Sequence, residues 1–350
     1  MKSLAIVCIG VSVASLQAAT LYVSPTGSNG DGLTWETAKI SLQAGVDAAG
    51  ADGLVLVASG TYTTGSAVGA GGLQCRLLIT NNVTVRCVEP HGAVIKGSGP
   101  AFQGDAANAV RCVEIVSGTL DGFVLEDGAT CSSAYSDDSM GGGLFFHDMS
   151  SGTATNCIVR NCRAGGGGAA YNGVLQGCVL SNNVAVGSDG GGALYRGKAY
   201  QCRIANNQAL DGAGGGVYGF PNGEYADCTV CDNAATRGSS TNPNYGGGGT
   251  FYGTFTRCAI SNNTAAGFAG GGGGACDSTL TDCVIAHNLA VSSQGGGAFG
   301  GTLTRCLVSD NTVTNGDGGG TCGAALFQCK VLSNNLTSWH NGNCGGVMGG

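Results

Sequence analysis

CVLSNNVAVGSDGGGALY, residues 178–195, sets a cysteine, an asparagine pair and a glycine triplet within eighteen positions. Taken alone, it offers a reactive thiol beside a loop able to cradle phosphate. Taken along the chain, it is one copy of a phrase. Cysteines at 157, 178, 202, 228, 258, 283, 306 and 329 each open the same pattern: Cys, one residue, a Val, Ile or Leu, and usually an Asn five positions after the Cys. A repeated phrase is read as architecture before it is read as chemistry.

The columns are consistent. Two positions after each Cys stand Val159, Leu180, Ile204, Val230, Ile260, Ile285, Val308 and Val331, and three before it stand Ala154, Leu175, Ala199, Tyr225, Phe255, Leu280, Leu303 and Leu326. Five after it come Asn183, Asn207, Asn233, Asn263, Asn288, Asn311 and Asn334, with Cys162 the exception, and seven after it stand mostly alanines. A glycine run follows, and two residues beyond it we place a further column of Ala170, Leu194, Tyr218, Phe251, Cys276, Phe299 and Cys322. The unit varies from 21 to 30 residues, almost entirely between the alanine and the glycine run. Insertions confined to one point of a repeat mark loops on one face.

Apolar residues alternate with polar ones at period two, in short β-branched stretches bounded by Gly and Asn, which is the language of strands and turns. The Leu/Asn spacing of a leucine-rich repeat is absent. Units this short cannot bury an apolar face alone and must stack, and coils of strands about 4.8 Å apart build a parallel β-solenoid. The fold class is therefore all-β, a parallel β-solenoid. About a dozen coils at that rise give a rod on the order of 60 Å long. Cys178, Cys202, Cys228, Cys258, Cys283 and Cys306 become core rungs, and Asn183, Asn207, Asn233, Asn263, Asn288 and Asn311 become turn rungs that hydrogen-bond along the stack. Glycines belong where coils approach too closely for a Cβ.

Composition agrees. Of 350 residues, 67 are Gly and 18 are Cys, only 11% are charged and 43% are hydrophobic. Proline is too scarce and glycine too irregular for collagen, and the hydrophobic content disfavours disorder. The formal net charge is −7, with no Lys/Arg cluster, which argues against a nucleic-acid partner. Residues 1–19, MKSLAIVCIGVSVASLQAA, have the layout of a secretory signal peptide. Their apolar run is shorter than the ~20 residues of a spanning helix, so no transmembrane segment is expected. The expected domain is 20–350, with an N-terminal cap at about 20–52 and regular repeats at about 141–350. CGGVMGG at 344–350 aligns with GGGAFGG at 295–301, so the chain stops inside a unit. A C-terminal truncation is the expectation, with a dimer closing the open end as the alternative.

Asn183-Val-Ala185 followed by Gly190-Gly-Gly-Ala-Leu194 resembles the repeat of chlamydial polymorphic outer membrane proteins, in which an F-x-x-N element precedes G-G-A-[ILV]. Cysteine stands here where that family has phenylalanine. The opening at 21–65, LYVSPTGSNGDGLTWETAKISLQAGVDAAGADGLVLVASGTYTTG, is similar to the start of secreted β-helix proteins of the pectin lyase-like superfamily. That resemblance implies a single-stranded right-handed parallel β-helix with a short N-terminal capping helix around 38–49, with Leu42 and Val46 facing the first coil and strands beginning at Leu54–Val57. Residues 66–150 are less regular, although LDGFVLEDG at 120–128 reads as a further strand and turn.

Local matches to active-site motifs do not hold. Gly192-Ala-Leu-Tyr-Arg-Gly-Lys198 fits most of a phosphate loop, but Ala199 replaces the Ser/Thr that would hold magnesium and no helical pattern follows. Cys228-x-x-Cys231 lacks a second pair, and His91, His147, His287 and His340 are scattered, so no metal site is expected. In-register cysteines have Cα atoms about 4.8 Å apart, yet parallel Cβ vectors keep them beyond the ~3.8 Å a disulfide prefers, so most should be unpaired, buried and inert. Of the N-T-D, D-D, G-H-G and R-I-K segments of polygalacturonase-type β-helices only Asp137-Asp138 occurs, and neither G-x-S-x-G nor H-E-x-x-H is present.

A loop face remains. Asp189 and Asp211 should lie on neighbouring rungs beside the longest loop, 236–245, with Arg237 and Tyr245, while Asp137 and Asp138 lie two coils earlier. These are the candidate carbohydrate-binding residues, against the plainer account that Asp and Asn simply favour turns. The functional expectation is an exported protein, extracellular or on the outer cell surface, serving as a non-catalytic adhesin-like or carbohydrate-contacting scaffold. Its partners would be a polysaccharide or a host or cell-surface component. It needs no cofactor, although the acidic row could take calcium. The alternative is a polysaccharide lyase or hydrolase acting on an acidic polysaccharide.

Overall fold

In the computed structural model, which describes residues 18–98, 108–130, 136–150, 152–188, 190–220, 222–236, 246–267, 270–337 and 344–349, the chain winds as a solenoid. One coil runs from Val174–Gln176 on the first sheet to Val179–Ser181 on the second, Val184–Ala185 on the third and Leu194–Tyr195 on the fourth. The sheets hold 12, 11, 8 and 12 strands in that order. All pairings between coils are parallel, and the one antiparallel pairing joins Ala67–Val68 to Gln74–Ile79. The fold is the parallel β-helix expected from the repeat.

The register turns the sequence columns into rungs. Leu175 pairs with Ala199, Ala199 with Tyr225 and Tyr225 with Phe255 on the first sheet, and Leu180, Ile204, Val230 and Ile260 follow one another on the second. These side chains and the cysteine rungs form one continuous core. Ala185, Ala209, Ala235 and Ala265 line the third sheet, where the cross-section is narrow.

The asparagine pair of the opening stretch divides two tasks. Asn182 is exposed at φ 56°, in the left-handed region that Asn tolerates better than other non-glycine residues, and Asn206 and Asn262 repeat it at 59° and 54°. Asn183 is buried. Its Oδ1 accepts from the Cys162 N–H at 2.9 Å, and its Nδ2 donates to the Val159 carbonyl at 3.0 Å and to Asn207 Oδ1 at 2.9 Å. The pattern continues through Asn207, Asn233, Asn263, Asn288 and Asn311. Backbone groups at a tight buried corner are thereby satisfied.

The cysteines form a second polar rail. The N–H of Cys178 lies 3.4 Å from Cys202 Sγ, that of Cys202 3.5 Å from Cys228 Sγ and that of Cys228 3.4 Å from Cys258 Sγ, while each thiol points at a carbonyl of its own or the preceding coil. All sixteen cysteines among the described residues are free thiols. Their role is thus wider than filling volume.

The glycine run is a matter of clearance. An ideal Cβ on Gly192 would fall 2.0 Å from the Gly215 carbonyl oxygen, and one on Gly215 would fall 2.3 Å from that of Gly248. Counting from this run gives a wrong column in the sequence reading. Ala170 pairs with Leu194 and Leu194 with Val217, whereas Tyr218 and Phe251 belong with Tyr171 and Tyr195. Ala169 and Ala193 complete the run where later coils have a third glycine, so the count slips by one residue there. In a strand, one residue is the difference between the two faces.

The cap also differs at its edges. Helix α1 spans Leu42–Ala49, beginning four residues later than expected, because Ser41 takes the N-cap and accepts from the Ala44 N–H while Lys39 is held in backbone pairing with Tyr22 and Ser24. Leu42 and Val46 are buried. A strand at Thr20–Val23 precedes Leu54–Val57 and pairs with it. Most of the leader, residues 1–17, lies outside the described residues.

Candidate functional site

Of the predicted loop row, Asp189, Arg237 and Tyr245 lie outside the described residues. Asp211 is half-buried in the loop that leads into Gly214–Gly216 and is already engaged by other groups. Asp137 and Asp138 sit on a single 3-10 turn, Asp137–Ser139, closed by a reciprocal Ser136–Ser139 capping box, with the Ser136 hydroxyl on Asp138. The structure therefore does not bring the predicted acidic residues together in one described site.

The outer face of the fourth sheet, beneath these loops, carries chemistry that the repeat did not announce. On strand Val110–Ile115, Arg111 and Glu114 are 0% and 1% exposed. Residues three apart should face opposite sides of a strand, but Cys112 and Val113 both join the core, and the broken alternation leaves the two charges together. Arg111 Nη1 reaches Glu114 Oε2 at 2.8 Å, and its other nitrogens donate to the carbonyls of Gly141, Met140 and Asp137. Glu114 also accepts from the Ala70 N–H at 2.8 Å and holds His147 Nε2 at 2.7 Å from Oε1. The His147 side chain itself is 41% exposed. Chemically, this is a saturated, buried ion pair that fixes one ring nitrogen of a surface imidazole.

From that knot an aromatic row runs along the same face. The Arg111 guanidinium lies 4.4 Å from the Phe145 ring centroid. Phe145 stacks on Tyr171 at 5.2 Å, Tyr171 on Tyr195 at 5.7 Å, and Tyr195 and Tyr218, then Tyr218 and Phe251, follow at 4.9 Å each. Arg196 extends over Tyr195 and donates to the Tyr171 hydroxyl at 3.2 Å. Phe145, Tyr171 and Tyr195 are buried beneath the loops, while Tyr218 is only partly covered.

Where the fourth sheet turns into the first, the usual corner is two residues, as at Asn172-Gly173 or Tyr252-Gly253. Five residues separate Phe146 from Gly152 and Tyr218 from Glu224, and in the second of these longer corners Phe220 is 50% exposed. Beneath it lies a cleft of about 290 Å³ lined by Phe220, Asn222, Tyr252, Thr254, Asp277 and Thr279. The Phe220 and Tyr252 rings are 5.3 Å apart at 49°. Burial raises the Asp277 carboxyl above its ordinary range, eased in part by the Cys276 thiol.

Other sequence candidates resolve as structure. The phosphate-loop match contains strand Leu194–Tyr195, is followed by strand Lys198–Tyr200 and not a helix, and places the Lys198 amine 3.1 Å from Glu224. Cys228 belongs to the thiol rail, and burial lifts Cys231 to about 11. His287 occupies the same left-handed corner as Asn182, at φ 57°. Among the described residues no three His, Cys, Asp or Glu side chains gather as a metal site.

No protein family and no curated protein matches the chain. Solved structures do. The A-module of a mannuronan C-5 epimerase from Azotobacter vinelandii aligns over 88% of this chain and 94% of its own, at 14% identity and a TM-score of 0.45. A pectate lyase aligns over 93% and 78%, at 14% identity and 0.37, and a surface adhesin of Streptococcus pneumoniae over 85% and 86%, at 10% and 0.28. What is shared is the right-handed parallel β-helix. Among the described residues no helix is long and apolar enough to cross a membrane.

Proposed function

We propose that this is an exported, surface-displayed β-helix scaffold that contacts polysaccharide through its loop-bearing side without turning it over. The observation that carries the reading is the outer face of the fourth sheet. There a row of stacked rings, buried from Phe145 to Tyr195, comes to the surface at part-covered Tyr218 and Tyr252 and exposed Phe220, beside the loops whose lengths vary, while every interior rung is taken up by apolar, Asn and Cys ladders. Repetition of one rung spacing suits a repetitive ligand, and such ligands are recognised by aromatic faces with a few placed polar groups. The leader-like N-terminus and the likeness of the Asn-to-Gly-Gly-Ala spacing to chlamydial surface repeats support export and display. Calcium bound by the acidic loops would reconcile a net charge of −7 with an acidic polymer.

One observation favours a second reading, a polysaccharide lyase or hydrolase. Glu114 orients an exposed His147, the arrangement by which a carboxylate prepares an imidazole for proton transfer. A single experiment separates the two. The mature protein is incubated with polygalacturonate, alginate and neutral glycans, with and without calcium, and unsaturated and reducing ends are followed beside a pull-down. Retention without new ends supports the scaffold. New ends that vanish in His147→Ala establish the enzyme, and neither retention nor turnover sinks both.

A further inference from the structure

The cleft under Phe220 is unlike the rest of the surface. Three coils supply it: Gly219, Phe220, Asn222 and Gly223 from the first, Tyr252–Thr254 from the second, Asp277 and Thr279 from the third. It is built on one of the two longer corners, with the Gly223 N–H on the Gly219 carbonyl at 2.9 Å. An exposed phenylalanine on a built corner, half uncovered beside a second ring, leaves apolar surface in water that a ligand face would cover.

Its polar lining is open to a partner. Among the described residues the Asp277 carboxylate has no ion-pair partner, and the hydrogen bond it accepts is from the Cys276 thiol at 3.9 Å. A larger cleft of about 410 Å³ at another corner makes the contrast. There Arg86 already pairs with Asp121 at 2.9 Å, and His91 Nε2 already meets the Asn156 carbonyl at 2.7 Å. In the Phe220 cleft the carboxylate, the Asn222 amide and the Thr254 and Thr279 hydroxyls surround an aromatic floor. That combination matches an object with one apolar C–H face and hydroxyls around its edge.

We infer that this cleft seats one neutral pyranose ring of the bound polysaccharide, with its C–H face on Phe220 and Tyr252 and its hydroxyls on Asp277, Asn222 and the threonines. The volume, at the low end of the roughly 300–1,000 Å³ of small-molecule sites, holds one ring and not an oligosaccharide. A uronate ring is disfavoured because its carboxylate would face Asp277. An organic cation is the competing occupant, since rings plus a carboxylate also suit ammonium groups, but it leaves the amide and two hydroxyls without use.

This inference rests on the polysaccharide-contact reading, and the test keeps the two apart. The intact protein is titrated calorimetrically with galactomannan, polygalacturonate and tetramethylammonium, alongside Phe220→Ala and Asp277→Asn. Phe220 is exposed and Asp277 half-buried, both at corners outside the core clusters, and circular dichroism verifies the fold of each variant. Galactomannan should bind more tightly than polygalacturonate, and each variant should weaken it about tenfold or more, with tetramethylammonium silent. Galactomannan binding unchanged in both variants overturns the cleft assignment and leaves the scaffold reading standing. So does tetramethylammonium binding that Phe220→Ala abolishes. Binding of no polysaccharide by the unmodified protein overturns both.

Discussion

Replacing Asn183 by Ala removes three of the structure's hydrogen bonds at one buried corner. The Cys162 N–H, itself in the core, loses its acceptor at 2.9 Å, the Val159 carbonyl loses a donor at 3.0 Å, and Asn207 Oδ1 loses one of its two donors. One buried N–H left unpaired costs about 1–3 kcal/mol, and the lost carbonyl bond adds about 0.5–1.5 kcal/mol. A destabilisation of about 2–4 kcal/mol follows. The neighbouring Asn182 supplies the control. It is exposed and needed only for its left-handed backbone, so Asn182→Gly should change stability by less than about 0.5 kcal/mol. Urea unfolding followed by circular dichroism reads both, and hydrogen exchange at the Cys162 amide localises the effect, which matters because repeat arrays need not unfold in one step. If Asn183→Ala proved no more damaging than Asn182→Gly, the ladder would not be holding the corner and the reasoning would fail.

Other consequences are equally open to measurement. Glu114→Ala should cost about 3–5 kcal/mol in a urea melt because it strands the buried Arg111 charge, whereas His147→Ala should stay within about 1 kcal/mol; equal effects would contradict the buried knot. Contact with the Cys178 thiol, together with burial, pushes Cys202 up to about 12 against an opposing effect of the Cys228 thiol, so iodoacetamide at pH 8 should label exposed Cys344 and spare Cys202 until the protein unfolds. Thiol counting on oxidised, denatured protein should find the rail cysteines free, and almost no free thiols would refute it. The Arg257 and Arg305 guanidiniums hold Asp227 and Asp282 below their ordinary 3.8. Their contribution is full above that value and is lost as pH falls through the lowered one, so an Arg257→Ala, Arg305→Ala variant should lose stability less steeply below pH 4, and less distinctly in high salt.

How much of this was legible in the sequence depends on whether a residue repeats. Asn183 to Asn311 and Cys178 to Cys306 could be read as rungs because identical neighbours in register are what a solenoid produces. The fourth-sheet column slipped because Ala169 and Ala193 stand in for a glycine, and a strand punishes an error of one residue by reversing the face. Arg111 and Glu114 were invisible because they depend on an irregular strand before the regular repeats, where two consecutive residues turn inward. The Phe220 cleft was missed for the opposite reason: a longer corner that only two units carry, at 147–151 and 219–223, looks like noise beside the regular columns. A signal was present in Gly219-Phe220 and Asn222-Gly223, a turn-forming stretch carrying an aromatic where most other coils need two residues.

The proposed function is that of a rod that holds a polysaccharide and leaves it intact. Its most direct test is size-exclusion chromatography with light scattering on galactomannan and polygalacturonate after prolonged incubation with the protein, with and without calcium. Co-elution of protein with polymer of unchanged mass is the predicted result, and a shortened polymer, or polymer eluting apart from the protein in every condition, would contradict it.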